Sequence, residues 1–281
     1  MDLGFRRIEL SHGLRAPMVS ELLEAKEELG FEVSSLHCFC PLPPEVLADN
    51  PDCYEFTSHK PESRRRALKM AMQTIDMAER FGAPCVVVHA GRIRSLSATR
   101  QLRELAAQGG LLDKNYAKAK LEAVRNREAV GPTYLKRSLE AVQKLAAHAA
   151  EKGVRLGIEN RDDYEAVPSE REVDELLRKV NAPHVGYWHD FGHAHIKHNL
   201  GLLDHRQWLR EMGDRAIGCH IHDVRWPFSD HQAPFTGEVP YAELVPHLAP
   251  DIEYVFEISP AIEADAIRQA ATRWRELFES P

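Results

Sequence analysis

The 281-residue sequence has no apolar run of the length a membrane helix needs, which is about 18 residues. Its first residues, MDLGFRRIEL, lack the succession of basic, apolar and small residues that marks a secretory signal peptide. The sequence therefore predicts a cytoplasmic protein with no membrane partner.

Cysteine is also scarce. The five cysteines are an odd number in a long chain and contain no C-x-x-C pair, which excludes a disulfide scaffold and favours a reducing compartment. Cys38 and Cys40 would share one face of a strand, where packing is a commoner role than binding of a soft metal.

An excess of positive charge is absent as well. The net charge is −7, from 36 Lys and Arg against 43 Asp and Glu, and this argues against a nucleic-acid partner because phosphate binding needs a basic surface. With 43% hydrophobic and 28% charged residues, the composition excludes a disordered, collagenous or coiled-coil protein.

What the sequence does contain is a repeated unit of a short apolar segment, a polar loop and an amphipathic helix. Predicted strands cover residues 6–11, 32–39, 85–90, 154–160, 185–190, 217–222 and 253–259. Predicted helices cover residues 18–29, 61–81, 133–152, 169–180 and 261–278. Gly30, Gly82 and Gly153 stand where a helix C-cap needs a left-handed residue.

Strands that alternate with helices, without glycine-rich phosphate turns, predict an α/β fold with a parallel sheet. The long uniform rhythm favours a closed (β/α)8-type TIM barrel, formed by one domain over residues 1–281. Only seven strands are evident. Either the first strand and helix of the barrel are missing, or Met1 is an internal methionine of a longer natural chain. We expect the strands at 6–11 and 253–259 to border the resulting gap, or to be bridged there by another chain in a homo-oligomer.

Titratable side chains are concentrated at the C-terminal ends of these strands, where parallel barrels place their sites. They are Glu9, His12, His37, His89, Glu159, Asp190, His193, His220, His222, Asp223 and Glu257. A single histidine at a strand end is more often structural than functional. Imidazoles and carboxylates that converge from several strands, however, would repel or stay unsatisfied without a cation, so the pattern indicates a divalent metal.

Five strand-end motifs carry a family resemblance. VVVHAG around His89, GIEN around Glu159, HDFGHAH from His189, CHIHD around His220 and FEIS around Glu257 resemble the successive motifs of the xylose isomerase-like barrels. That superfamily joins sugar isomerases and epimerases to endonuclease IV-type DNA repair enzymes. The resemblance extends over nearly the whole chain from Gly4, and the ordered set is specific for the superfamily but poor for the substrate.

The resemblance implies a single divalent cation (Mn, Zn, Co or Mg) bound by Glu159, Asp190, His220 and Glu257. The two glutamates would also be the catalytic groups, flanking the substrate and moving protons through an enediolate. The leading hypothesis is therefore a metal-dependent isomerase or epimerase of a sugar, sugar phosphate or polyol. A lyase or hydrolase of an oxidised sugar is a weaker alternative, because the same intermediate can expel a leaving group.

The rival hypothesis is a phosphodiesterase similar to endonuclease IV, with up to three zinc ions. His37, His89 and His193 match the additional imidazole ligands of that group. Its remaining Asp and His should lie two residues apart, whereas Asp230 and His231 are adjacent here. For His89 and His193 we therefore favour contact with the substrate over binding of additional metal.

A basic segment interrupts the rhythm after His89. Residues 92–127 contain nine Lys or Arg and three Asp or Glu, a net charge of +6. We expect a helical insertion there, which either caps the mouth of the barrel and favours an anionic substrate or merely covers the barrel. The candidate substrate-binding residues are His12, Arg92, Arg161, Arg225 and Trp188, with Arg94 and Lys197 as further candidate anion contacts.

Overall fold

The computed structural model describes residues 3–47, 50 and 52–279. Its strands are β1 (Arg7–Leu10), β2 (Glu32–His37), β3 (Cys85–Val88), β4 (Arg155–Glu159), β5 (Val185–Asp190), β6 (Ala216–Ile221), β7 (Asp223–Arg225), β8 (Ser229–Gln232) and β9 (Glu253–Phe256). All seven strands predicted from the sequence are present. The two additional strands, β7 and β8, form a small antiparallel hairpin between β6 and β9.

The seven strands predicted from the sequence form one parallel sheet in the order β1-β2-β3-β4-β5-β6-β9. The fold is a TIM barrel that is nearly closed, because β1 and β9 are the two edges of this sheet within the described part of the chain. As predicted, these strands border the gap. Arg7 and Glu253 form an ion pair across it, with Nη1 and Oε2 2.9 Å apart. A cavity of about 1090 Å³ opens beside the two edges, and its lining includes Phe5 and Glu257.

Helices cover the outside of the sheet. They are α1 (Val19–Leu29), α2 (Pro61–Phe81), α3 (Ala98–Ala107), α4 (Lys114–Lys152), α5 (Glu170–Val180), α6 (Phe191–Asn199), α7 (His205–Met212), α8 (Tyr241–Leu244) and α9 (Ala264–Trp274). The predicted C-caps Gly30, Gly82 and Gly153 are left-handed, with φ of 65°, 69° and 67°. Among the described helices, none has the length and apolar character required to cross a membrane.

The basic segment at 92–127 contains α3 and the first part of α4. The start of a helix predicted near Thr133 is wrong, since α4 begins at Lys114 and continues through Pro132. The side chain of Asp113 caps the true start by accepting a hydrogen bond from the backbone N–H of Asn115.

Packing explains why proline does not end this helix. Tyr116 is buried before Pro132 and Tyr134 is buried after it, so the same helix face stays in contact with the protein on both sides. Proline removes one backbone hydrogen bond at a cost of about 3 kcal/mol, and burial of the two aromatic side chains offsets a cost of that size.

Trp188 fills the centre of the barrel. Its side chain is fully buried beside Cys85, Val87 and Val255. Two glycines on the neighbouring strands make room for it, because a Cβ at Gly157 or Gly218 would lie 2.8 or 2.1 Å from the indole ring. Trp188, predicted to contact substrate, therefore lies below the strand ends as part of the core.

Candidate metal centre

Four side chains from four strands meet at the C-terminal end of the barrel. Glu159 ends β4, Asp190 ends β5, His220 lies near the end of β6, and Glu257 follows β9. Each offers a ligand atom, and these atoms lie within 4.8 Å of one another. The Nδ1 atom of His220 is 3.0 Å from Glu257 Oε2 and 3.6 Å from both Glu159 Oε1 and Asp190 Oδ2. The structure thus brings the predicted quartet together.

Three of these buried ligand atoms have no hydrogen-bond partner: Glu159 Oε1, His220 Nδ1 and Glu257 Oε2. The outer nitrogen of His220, Nε2, is 3.1 Å from an oxygen of Glu9, so in the neutral ring the hydrogen is on Nε2 and Nδ1 presents a lone pair to the carboxylates. Buried groups of this kind are costly when unpaired. One imidazole nitrogen and three carboxylates are a donor set that divalent cations accept, so these residues fit a metal ion.

A second group shares Glu159. The Nε2 atoms of His37 and His89 lie 3.1 and 2.9 Å from the same oxygen, Glu159 Oε2. Their outer nitrogens face acceptors: Nδ1 of His37 is 3.1 Å from the carbonyl oxygen of Cys38, and Nδ1 of His89 is 2.8 Å from Asp52. In the neutral rings the hydrogens therefore point outward, and both Nε2 lone pairs point at Glu159.

His89 contacts both a cationic group, which opposes its protonation, and carboxylates, which favour it. Burial and the neighbouring Arg161 oppose its protonation, but Glu159 and Asp52 outweigh them and raise the pKa of His89 to about 9. A proton on Nε2 would suit Glu159 but would face Arg161 Nη1, which is 2.8 Å away, while a lone pair there would suit Arg161 and repel Glu159. His89 and Glu159 would both be available to a divalent cation, which would accept the lone pair and the carboxylate.

A third group consists of His193, His222 and His231. Both nitrogens of His222 already have partners: Nδ1 accepts the backbone N–H of His231 at 2.9 Å, and Nε2 is 3.0 Å from Asp190 Oδ1. His222 therefore orients Asp190. Asp230 pairs with His231 at 3.3 Å and is not part of the group, so this cluster has the weakest case for binding a cation.

Without a cation, the imidazoles and carboxylates shift one another's protonation. Burial alone would raise the pKa of Glu257, but the facing imidazoles of His220 and His231 lower it below its usual range. Burial would likewise lower the pKa of His231, but Asp230 and Glu257 raise it to about 10. The pKa of His220 is raised well above its usual value, despite burial, chiefly by Glu257 and Glu9. A cation that binds His220 therefore competes with a proton for the same nitrogen.

The other predicted contact residues are divided between the site and its surroundings. Arg161 lies at the rim, 3.8 Å from Glu159 Oε1, and the ring of His12 packs 5.7 Å from that of His37. Arg225, on β7, is exposed to solvent. Lys197 is buried in an ion pair with Glu170.

The basic segment presents fewer free charges than its composition suggests. Arg92 pairs with Asp163 at 3.0 Å, and Arg94 pairs with Glu55 at 2.7 Å. Arg103 forms a further ion pair with Asp162. Each of these three arginines is thus directed at a carboxylate of the protein itself.

Comparison with known proteins gives the family. A family model described as a xylose isomerase-like TIM barrel matches residues 1–277. The chain belongs to this family. An uncharacterised Sinorhizobium fredii (strain NBRC 101917 / NGR234) protein, y4fM, is 24% identical over 196 residues, which are 69% of this chain. The match spans about half of that relative, 52% of its length.

Several proteins of known structure share the fold at low sequence identity. A D-tagatose 3-epimerase-like protein is 18% identical with a TM-score of 0.69, covering 98% of this chain and 89% of the other. A 3-keto-D-glucoside 4-epimerase from E. coli is 16% identical with a TM-score of 0.66, covering 98% and 90%. D-psicose 3-epimerase from Clostridium cellulolyticum H10 is 14% identical with a TM-score of 0.68, covering 99% and 91%.

Two residues at the centre, Asp52 and Asn160, were not named from the sequence, and Glu9 was named there as a strand-end carboxylate without a specific role. Glu9 contacts His220, and Asp52 contacts His89. Asn160 clamps Asp190: its Oδ1 accepts the backbone N–H of Asp190 at 2.8 Å, and its Nδ2 donates to the carbonyl oxygen at 3.0 Å. Glu9 and Asn160 stand at strand ends, where a signal existed, whereas Asp52 lies in an irregular loop that periodicity does not mark.

Proposed function

We propose that this protein is a metal-dependent isomerase or epimerase of a sugar or related polyol. The observation that carries the proposal is the convergence of Glu159, Asp190, His220 and Glu257, with three buried ligand atoms that lack hydrogen-bond partners. These four residues would hold the cation. When bound, a divalent cation would polarise the sugar carbonyl and stabilise the negative charge of an enediolate.

Glu159 and Glu257 would move the proton. They come from the ends of β4 and β9, which are separated by β5 and β6 in the sheet, so the two carboxylates approach the centre from different strands across the barrel. One carboxylate would remove the proton next to the carbonyl and the other would return it. Return to the opposite face of the same carbon gives epimerisation, and return to the neighbouring carbon gives isomerisation.

The charge environment favours an uncharged sugar over a sugar phosphate. Arg92 and Arg94 are paired with Asp163 and Glu55, so releasing either one to bind a phosphate would leave a carboxylate without its partner. Arg161, at the centre, already faces Glu159 and Asp52.

A second candidate function, a multi-zinc phosphodiesterase, is favoured by one observation. His37 and His89 converge on Glu159 Oε2 and could hold a second cation beside the quartet. Two observations disfavour this candidate. Both nitrogens of His222 already have partners within the protein, and the net charge of −7 is unfavourable for binding nucleic acid. The lyase or hydrolase alternative would use the same two glutamates.

Isotope exchange tests the proposal directly. The protein, reconstituted with Mn²⁺, is incubated in D₂O with a panel of aldoses and ketoses, and NMR is used to follow loss of the proton next to the carbonyl. We expect exchange and a new sugar with one member of the panel, and neither with Glu159→Gln or Glu257→Gln. Glu263→Gln, at an exposed glutamate before α9, is the matched control and should remain active.

A parallel assay tests the phosphodiesterase alternative. The same preparations, loaded with Zn²⁺, are incubated with duplex DNA that contains an abasic site. Strand cleavage by the protein, absent in Glu159→Gln, together with no proton exchange in any sugar, would overturn the isomerase proposal in favour of the phosphodiesterase.

A further inference from the structure

Glu9 lies inside the barrel wall, on β1, with only 7% of its side chain exposed. Its two carboxylate oxygens are 3.1 and 3.3 Å from Nε2 of His220. Because β1 is one edge of the sheet and β6 is the strand next to the other edge, this contact crosses the open side of the barrel.

Ser35 holds Glu9 in place. Its hydroxyl donates a hydrogen bond of 2.6 Å to Glu9 Oε2, and it comes from β2, the neighbour of β1. Glu9 is thereby fixed before it contacts His220. A carboxylate with one oxygen already bonded to a hydroxyl loses little freedom when it also accepts the imidazole N–H.

The contact with Glu9 determines which nitrogen of His220 carries the hydrogen and which keeps a lone pair for the candidate cation. A neutral imidazole has one N–H and one lone pair, and the carboxylate of Glu9 can only accept. The N–H must therefore be at Nε2, which leaves the lone pair at Nδ1, 3.0 Å from Glu257 Oε2. The ring itself is held between His37, stacked at 5.7 Å, and Trp188, at 5.2 Å.

We propose that Glu9, supported by Ser35, is a positioning residue of the metal centre. It fixes the tautomer of His220 and increases the electron density at Nδ1, and so strengthens the bond from His220 to the cation. Glu9 acts through His220, since it does not belong to the group of converging ligand atoms. The inference rests on the proposed function in one respect, the use of His220 as a metal ligand.

Metal affinity of the purified full-length protein tests this without reference to turnover. Competition with a chelator gives the Kd for Mn²⁺ and Co²⁺ of the wild type, Glu9→Gln and Ser35→Ala. Glu9→Gln keeps the shape and an acceptor oxygen but removes the charge, and we expect about a 10- to 100-fold weaker Kd. Ser35→Ala should weaken it less, because Glu9 is still present. The matched control is Glu32→Gln, at an exposed glutamate of β2, with an unchanged Kd.

A double-mutant cycle separates positioning from general damage. In a His220→Asn background, Glu9→Gln should have no further effect on the Kd, because the residue through which it acts is gone. In the Co²⁺ form, proton NMR should show the paramagnetically shifted, exchangeable imidazole N–H of His220, and this proton should exchange with water faster in Glu9→Gln. The melting temperature of the metal-free variant shows that it is folded.

The outcomes are distinct. A wild type that binds neither cation overturns both the proposed function and this inference. A wild type that binds, with Glu9→Gln at the same Kd, overturns the inference alone. So does an effect of Glu9→Gln that persists undiminished in the His220→Asn background, since Glu9 would then act by another route.

Discussion

Nε2 of His222 lies 3.0 Å from Oδ1 of Asp190. With its other nitrogen accepting a backbone N–H, His222 has no lone pair left for a cation and serves to orient Asp190. This matters for the choice of function, because the three-zinc enzymes that the sequence also resembles need a third complete ligand group. Among the described residues three groups converge, and the two that contain Glu159 have the better geometry for a cation.

We therefore predict that one chain saturated with Zn²⁺ binds no more than two ions. His37→Ala should remove one of two bound ions, because it removes an imidazole from the second group, and His231→Ala should leave the number unchanged. Elemental analysis after gel filtration measures the ratio of metal to protein. Three ions per wild-type chain would contradict the tautomer that we assign to His222.

The two glutamates should be far more sensitive to substitution than the neighbouring histidine. Glu159→Gln or Glu257→Gln removes both a metal ligand and a proton carrier, and we expect kcat to fall by about 10²- to 10⁴-fold. His89→Ala removes neither a ligand of the quartet nor a proton carrier, so it should lose less. Turnover measured at saturating metal checks the ranking, and a larger loss for His89→Ala would show that we have misassigned the proton carriers.

Metal affinity should rise with pH. In the metal-free protein Glu159 and Asp52 outweigh burial and Arg161 and raise the pKa of His89 to about 9. Glu257 and Glu9 likewise raise the pKa of His220, against burial. A cation that binds these two imidazoles therefore competes with protons. The apparent affinity should strengthen up to about tenfold per pH unit between pH 6 and pH 9 for each displaced proton.

Calorimetry in buffers with different ionisation enthalpies measures the released protons at each pH. The expected number of protons released on metal binding is largest near neutral pH. It falls as the pH passes 9, because His89 is then deprotonated before the metal binds. An affinity that is flat from pH 6 to pH 9 would show that the imidazoles are already neutral in the metal-free protein.

Much of the fold was predictable because its signals are local. The strands of a parallel barrel are apolar runs bounded by turn residues, and Gly30, Gly82 and Gly153 mark helix ends by a property that few other residues share. The helix start predicted after Pro132 is wrong for the opposite reason. Its effect on α4 depends on the distant contacts of Tyr116 and Tyr134, which the local sequence does not reveal.

In the candidate site, too, the features set by local sequence and topology were predictable and those set by distant contacts were not. The converging quartet follows from topology, since all parallel strands end at one face of the barrel. The partners of the outer histidine nitrogens, such as Asp52 on His89, depend on how a loop folds back, which periodicity does not encode. The pairing of Arg92 with Asp163 is likewise tertiary, and of the two roles that composition left open for the basic segment it favours covering the barrel.

That pairing yields the last prediction, on substrate charge. If Arg92 serves to hold the segment through Asp163, then Arg92→Gln should affect the sugar identified by isotope exchange and its phosphate ester alike. The ratio of their KM values should then change by less than about threefold. A buried charge-assisted contact with the phosphate, worth about 1.5 to 3 kcal/mol, would change this ratio by roughly ten- to a hundredfold.

Arg103→Gln provides the matched comparison, because Arg103 belongs to the same segment and is paired with Asp162. Both variants should lower the melting temperature, since each leaves a half-buried carboxylate without its partner. Steady-state kinetics on the two sugars, at equal metal saturation, measure the KM ratio. A tenfold or larger rise in KM for the phosphate ester alone, seen in Arg92→Gln and not in Arg103→Gln, would mean that Arg92 leaves Asp163 to bind an anionic substrate. The segment would then have the capping role that its charge of +6 suggests.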